Sequence, residues 1–489
     1  MTDPASPSAP EFRPWYRRIG PALITACVVI GPGSIMTSSN TGVLYGYGMF
    51  WIVVVSVVFM LTFMSMGARL GVTSDKSPGT LLTEKVGRWL AVLLGLSVFF
   101  ISAAYQFGNN LGVHFALSPI LDFNYMIVIF NALTIAFLLF SKHLYQALER
   151  LMMTFVGIML TAFAVNLIVS GPRWGELFTG FIPSGMDELN VNVLGLIGTT
   201  FVTTAAFYQC YLVKQKGWGH DELRDGMIDT RVGACVMAAI TLMLMATPAT
   251  LFHPDYQYEK VVTESNSSVV PKGTLVINNE DPERYERLKK KAEKELDWET
   301  KDHLWASILP SSEVEKYNSD IETDSRTFNT IPEVGMSLKP AFGTIGPVLF
   351  FLGVFSAAYS SFLVNSMIGG FILSDGLGLG SSPEDRWPKI LTIAVLMTGM
   401  FVGLYCILVL ENQKPLPLIV AAQAVTVLAS PLVGGALLWL TSNKDVMGKD
   451  VNGPILNVLG GVGFLMLLAL SAKLAIYNVW PEIQKLLGS

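Results

Sequence analysis

Charge is scarce in this chain. Asp, Glu, Lys and Arg together supply only 15% of its 489 residues, and they cluster between long apolar runs. That distribution excludes a basic surface for nucleic acid. Histidine is scarce too: the five, His114, His143, His220, His253 and His303, are scattered, no Cys or His pair has metal-site spacing, and no nucleophile sits beside a base in sequence. These absences argue against an enzyme, and no cofactor is called for. Gly376-Leu377-Gly378-Leu379-Gly380 lacks the preceding strand and following lysine of a phosphate loop. The four cysteines, Cys27, Cys210, Cys235 and Cys406, all fall inside apolar runs, where free thiols behave as small hydrophobes. No disulfide is expected. The N-terminal segment is rich in Pro and Ser and lacks the pattern of a cleavable signal.

What is present is hydrocarbon. About half of the residues are hydrophobic, and the runs reach the ~20 residues a helix needs to cross a bilayer. Eleven spans are expected, at 19–46, 49–71, 89–112, 119–140, 148–171, 190–214, 231–253, 341–374, 388–411, 416–441 and 453–480. The fold class is therefore an all-α integral membrane protein whose partners are the lipid bilayer and a small solute or ion. Lys and Arg concentrate in alternate short connections: Arg13, Arg17 and Arg18; Arg69 and Lys76; Lys142 and Arg150; Lys214 and Arg224; Arg386 and Lys389; Lys444 and Lys449. The positive-inside rule then places residues 1–18 as a cytoplasmic tail in the inner membrane and, with an odd span number, the C-terminus outside. Residues 254–338 form a polar insert on the outer face. Within it Gly273–Ile277 reads as a strand, and Asp281-Pro282 opens a helix with Asp at N-cap and Pro at N1. A folded cap without chemistry is the plain reading, a gate or docking surface the sharper one.

Inside the spans, ionisable residues are nearly missing; Asp122, Glu149, Asp375 and Glu411 sit at span ends, and Lys473 is placed to snorkel. Proton-coupled and metal-carrying transporters commonly place acids or histidines at membrane depth. Here the polar groups are neutral. Span one carries Val29-Ile30-Gly31-Pro32-Gly33-Ser34 and then Thr37, Ser38, Ser39 and Asn40; span three carries Gln106, Asn109 and Asn110. Span six carries Thr199, Thr200, Thr203 and Thr204, span eight Ser356, Ser360, Ser361 and Asn365, and span ten Gln423. A lone Ser or Thr in a membrane helix is ordinarily a packing contact. Two interrupted segments five spans apart are instead the pattern of an inverted repeat with a midplane site.

These residues resemble the Nramp divalent-metal transporters. Gly20-Pro21-Ala22, Gly31-Pro32-Gly33-Ser34, Tyr45-Gly46-Tyr47 and Arg69-Leu70-Gly71-Val72 look like the start of that family; Phe351–Ser361, Gln423 and Leu440–Gly448 resemble later parts. The resemblance implies the LeuT-like inverted repeat, 5+5, with residues 19–171 as one half and 190–253 plus 341–441 as the other; residues 453–480 make span eleven. It also exposes departures. Gly31 and Ser34 stand where the family's Asp-Pro-Gly-Asn has its acid and amide, and Val202-Thr203-Thr204 stands for Met-Pro-His. The helix-three acids align with Ser102 and Tyr105.

The expected site is thus neutral: Gly31, Ser34, Thr37, Thr200, Thr203, Thr204 and Gln423, with Tyr105 and Tyr359 as walls. Because an uncompensated buried charge is costly, the main expectation is a secondary transporter of a non-transition-metal cargo such as a hydrated, Mg²⁺-like cation. The alternatives are an organic or zwitterionic solute, a transporter-derived sensor or scaffold, and divalent metal transport as in the wider family. Proton coupling is expected to be absent or weak.

Overall fold

The computed structural model describes residues 30–481 and 484, less 119–120, 122, 141, 186–189, 216, 218, 254–258, 267–269, 271–273, 278–285, 287–307, 318–319, 329–330, 383 and 410–414. Among the described residues, eight helices are long and apolar enough to cross a membrane, with shorter apolar helices at Met126–Leu139 and Val156–Val169. The membrane helices are α1 (Pro32–Tyr45), α2 (Phe50–Thr73), α3 (Arg88–Leu117), α4 (Met126–Phe140), α5 (Lys142–Val169) and α6 (Val191–Thr200), followed by α7 (Thr203–Gln215), α8 (His220–Leu251), α9 (Ile345–Leu377), α10 (Arg386–Leu408), α11 (Pro415–Ser442) and α12 (Pro454–Leu474). This is the all-α inverted-repeat architecture expected from the sequence. Span four begins seven residues later than the apolar run at 119, and span five begins six residues earlier than 148. Hydropathy alone misplaces both ends because amphipathic turns such as Lys142–Arg150 continue a helix without continuing its apolarity.

Two helix ends fall inside expected spans. α1 starts inside the first apolar run: Gly31 is extended (φ −103°, ψ 179°) and Pro32 occupies the first turn, where its missing N–H costs no hydrogen bond. The half of span one before Ile30 lies outside the described residues. In span six, Phe201 leaves helical geometry (φ −92°, ψ 68°) and the Thr203 N–H bonds the Phe201 carbonyl at 3.0 Å. The local cause is the run Thr199-Thr200-Phe201-Val202-Thr203-Thr204, in which β-branched side chains crowd the preceding turn.

The insert forms a four-stranded sheet of β1 (Glu259–Ser265), β2 (Leu275–Ile277), β3 (Ile308–Pro310) and β4 (Ile321–Ser325) in the order β3-β2-β1-β4. β1 pairs antiparallel with β2 and β4, whereas β2 and β3 are parallel. Val262, Val270, Val276, Leu309 and Ile321 make its small core. The strand expected at Gly273–Ile277 is therefore present as Leu275–Ile277. The helix expected from Asp281-Pro282 lies outside the described residues, apart from the helical Glu286.

One acid departs from the simple picture of charges at span ends. Asp375 is buried near the end of α9, accepting from Ser77 Oγ at 2.5 Å, Gly79 N at 2.7 Å and Tyr211 Oη at 2.6 Å. These bonds tie α7, α9 and the turn after α2 into one structural anchor, with the oxygens supplied with donors as a buried carboxylate requires.

At the end of the bundle opposite the sheet, Arg69 donates to the Asp450 and Val451 carbonyls at 2.5 and 3.2 Å. His220 Nε2 lies 2.8 Å from an Asp450 carboxylate oxygen. The His220 hydrogen bond, with smaller help from the His220 charge, Thr73 and Arg69, lowers the Asp450 pKa. A carboxylate whose pKa is depressed by folding stabilises above its unfolded value and loses that contribution as pH falls through the folded one. Asp450→Asn is therefore expected to lower thermal stability at neutral pH by only a few tenths of a kcal/mol, since the pair is solvent-screened. The difference from the unsubstituted protein should vanish in acid, below the carboxylate range; a difference that persists there would refute the assignment. Differential scanning fluorimetry in detergent across pH reads both.

Candidate substrate site at the α1–α6 break

Small residues allow α1, α3, α6 and α11 to converge on the break. A Cβ built on Gly33 would stand 2.4 Å from Gln423 Cδ, and one on Gly198 would stand 2.7 Å from the Gln423 carbonyl. Gly33 and Gly198 thus let α1 and α6 approach α11 from two sides, with the Gln423 side chain lying against α1. From α3, Asn109 Oδ1 lies 3.1 Å from the Cβ position of Gly31, with Ser361 Oγ of α9 at 3.8 Å.

Hydroxyls close the arrangement. Thr37 Oγ1 bonds the Gly33 carbonyl at 2.8 Å and lies 3.4 Å from Thr199 Oγ1 across the α1–α6 interface. Tyr105 Oη donates to the Gly198 carbonyl at 2.8 Å and lies 3.4 Å from Thr426 Oγ1, so this ring braces α3 against α6 and α11. An amide series continues from Asn109 away from the break. Asn109 Nδ2 reaches Gln106 Oε1 at 3.4 Å, Asn110 Nδ2 the Gln106 carbonyl at 2.8 Å, and Asn131 Nδ2 of α4 reaches Asn110 Oδ1 at 2.5 Å.

The sequence-derived candidates are not all placed alike. Gly31, Ser34, Thr37, Gln423 and Tyr105 stand around the break as described. Thr200, Thr203 and Thr204 are buried at the α6–α7 interruption, but the hydroxyl that meets α1 is that of Thr199. Thr203 Oγ1 is buried without a hydrogen-bond partner. Tyr359 belongs to an aromatic cluster instead: its ring centroid lies 5.2 Å from Phe130, 6.0 Å from Phe355 and 5.5 Å from Phe362. Thr199, Asn109 and Thr426 were absent from the expected set. The signal for Thr199 and Asn109 was already in the polar residues of spans six and three; which hydroxyl of a threonine run faces α1 depends on helix phase at the break.

Electrostatically the site joins two helix ends of opposite sign. α1 presents the N–H groups of its first turn, with no side-chain cap, and α6 ends at Thr200 with its last carbonyls. A helix C-terminus carries about half a negative charge, and no carboxylate is among the groups described here around the break. The donor set is hydroxyl, amide and carbonyl oxygen.

The Nramp family, natural resistance-associated macrophage protein-like, matches residues 22–268 and 317–477. The chain belongs to the Nramp family. The unmatched stretch between the two segments, 269–316, falls within the insert. A divalent metal cation transporter, MntH, of Verminephrobacter eiseniae is 22% identical over 479 residues, covering 96% of this chain and 91% of that protein. Protein Malvolio of Drosophila melanogaster is 21% identical over 452 residues, covering 91% and 69%. A crystal structure of the Eremococcus coleocola manganese transporter, in complex with an aromatic bis-isothiourea substituted compound, has a TM-score of 0.65 at 16% identity, covering 95% of this chain and 88% of that one. The chain is accordingly a multi-pass inner-membrane transporter-family protein, and its relatives are transporters, not enzymes.

These relatives overturn the expectation of a non-transition-metal cargo. The hydrated Mg²⁺-like cation, with an organic solute as its alternative, was inferred from the loss of the acid and amide at Gly31 and Ser34 and of the thioether at Val202, and that inference weighed side chains over backbone oxygens. Carbonyl and other neutral oxygens are suitable ligands for Mn²⁺, and the chain gathers carbonyl, amide and hydroxyl oxygens at the break.

Proposed function

We propose that this protein is a secondary transporter of divalent metal ions of the Mn²⁺ class, with the ion bound at the α1–α6 break. The observation that carries the reading is the meeting of the α1 start and the α6 end around neutral oxygen donors, in a chain of a family whose named members move divalent metals. Ser34, Thr37, Thr200, Thr203, Thr204 and Gln423 supply ligand or lining groups together with the backbone at Gly31; Asn109 joins them, and Tyr105 forms a wall. The last α6 carbonyls offer oxygen ligands of the kind Mn²⁺ accepts. Gly31 and Ser34 replace the acid and amide of the Asp-Pro-Gly-Asn motif, and Val202 replaces the thioether of Met-Pro-His; water and carbonyl oxygens take over their share of the coordination.

The concentration of Lys and Arg in alternate connections supports an N-terminus in the cytoplasm and an insert and C-terminus outside. With no acid or histidine among the groups gathered at the break, transport is not obligatorily tied to protons. Mn²⁺ uptake by proteoliposomes is expected to proceed without acidifying the lumen, and substrate-driven acidification would contradict this.

Calorimetry tests the cargo directly. The purified protein is expected to bind Mn²⁺, with no heat from a panel of amino acids, and Gln423→Ala to weaken binding by about tenfold, or ~1.4 kcal/mol. Absence of Mn²⁺ binding up to millimolar concentration would sink the proposal.

A further inference from the structure

The end of the insert that leads into α9 is bolted to the helix that carries the site. Asn40 lies on α1, and its side chain makes two bonds to one backbone unit of the insert. Its Oδ1 accepts from Phe328 N at 3.0 Å, and its Nδ2 donates to Phe328 O at 3.4 Å. Phe328 is 1% exposed, and its ring stands 5.3 Å from Phe252 just past α8.

A second asparagine repeats the arrangement on the other side. Asn166 of α5 donates through Nδ2 to the Ser337 carbonyl at 2.6 Å and accepts through Oδ1 from Ala341 N at 3.1 Å. Between these pins Ile331, Val334 and Leu338 are fully buried. The segment then enters α9 at close range: a Cβ on Gly335 would stand 3.0 Å from Phe350, and one on Gly346 2.8 Å from Leu338.

The two pins fasten different parts of the bundle. α1 packs mainly on α6 and α8, whereas α9 packs on α3, α5 and α10. In transporters built from inverted repeats, access alternates by rocking one group of helices against another around a fixed site. A strap anchored to both groups on one face has to yield when that face opens. Each pin is a side-chain amide that accepts from one backbone N–H and donates to one backbone carbonyl of the segment, so releasing it leaves polar atoms without partners unless water enters with the opening.

We infer that Asn40 is a gating residue, and that Phe328 and residues 331–341, pinned at Asn40 and Asn166, form a latch holding the insert side of the substrate site closed. The inference rests on the transport reading for its consequence, but the latch itself is readable without transport. Asn40 acts through the position of α1 and is not a ligand.

The experiment uses the full-length protein in proteoliposomes. Ser38→Cys, close to Asn40 on α1 and fully buried, reports access from the insert side through a membrane-impermeant maleimide, with the labelled peptide located by mass spectrometry. Adding Asn40→Ala is expected to raise the labelling rate about fivefold or more, and Asn166→Ala, which frees the other pin, to raise it in the same direction. Ser39→Ala, which removes a buried hydroxyl that bonds nothing, is expected to leave it unchanged. An unchanged rate in both asparagine variants, or an equal rise in Ser39→Ala, would overturn the latch.

Mn²⁺ uptake supplies the second readout, in the Ser38 background. A latch variant populates the open, binding-competent form more, so its apparent KM falls, while Vmax falls because the face no longer closes fully. Merely structural damage would lower Vmax without lowering KM, and that pattern would also count against the latch. Should the unsubstituted protein carry no Mn²⁺, the transport proposal fails and the labelling result still decides the latch.

Discussion

Gly31→Asp is expected to tighten Mn²⁺ binding by about 10- to 100-fold, or ~1.4–2.8 kcal/mol. Gly31 is extended with a negative φ, a conformation open to any residue, and Asp is among the favoured residues at a helix N-cap. The new Cβ would lie 3.1 Å from Asn109 Oδ1. That is tight, but the Asn109 amide is held only by a 3.4 Å bond to Gln106 and can yield by the few tenths of an ångström needed. The gross attraction between a carboxylate and a divalent ion at ~4 Å is several kcal/mol even at an effective dielectric of ~20. Burying the carboxylate opposes it, and the net gain is the smaller figure above. The variant should also acquire a pH dependence, with affinity falling as the solution is acidified toward the carboxylate range, whereas the native site should show little. Calorimetry at two pH values reads both effects. An unchanged or weaker affinity would place the ion away from Gly31.

The second large effect concerns packing. A Cβ on Gly42 of α1 would stand 2.1 Å from the Met245 carbonyl oxygen of α8, and one on Gly67 of α2 would stand 2.1 Å from the Ala206 carbonyl oxygen of α7. In both cases the obstacle is backbone, which cannot rotate away, so two helices must separate. Overpacking of this kind costs ~1–3 kcal/mol and more where the surroundings are stiff. Gly42→Ala and Gly67→Ala are each expected to lower the detergent-phase Tm by several degrees and to reduce the yield of monodisperse protein. Gly157→Ala on α5, where the added methyl meets nothing within 4 Å, should leave Tm unchanged or slightly raised, since Ala is the better helix former. Equal behaviour of the three variants would refute the close-contact argument.

Much of this architecture was legible in the sequence for a simple physical reason. Lipid offers no hydrogen bonds, so a spanning segment must satisfy its own backbone, and an apolar run of sufficient length announces a helix. The same constraint made Gly31-Pro32-Gly33 and the polar groups of span six conspicuous. Less was legible at the site. The expected set held Thr200 and omitted Thr199, because the Phe201 turn resets the phase of the helix faces. Tyr359 looked like a wall residue from its polarity, yet Phe130, Phe355 and Phe362 enclose its ring. The cargo was misjudged from the missing acid, amide and thioether, since side chains are visible in a sequence while the α6 carbonyls that can stand in for them are common to every residue.

The sequence by itself determined a polytopic membrane protein, the stretch at which α1 begins, and the neutrality of the groups gathered there. Those properties follow from composition and local backbone chemistry. The tertiary structure decided that Thr199 faces Thr37, that Gln423 lies against Gly33, and that Asn40 and Asn166 pin the insert across the bundle. Such contacts join residues as far apart in the chain as Gly33 and Gln423, and only the packing of whole helices fixes which polar atoms meet.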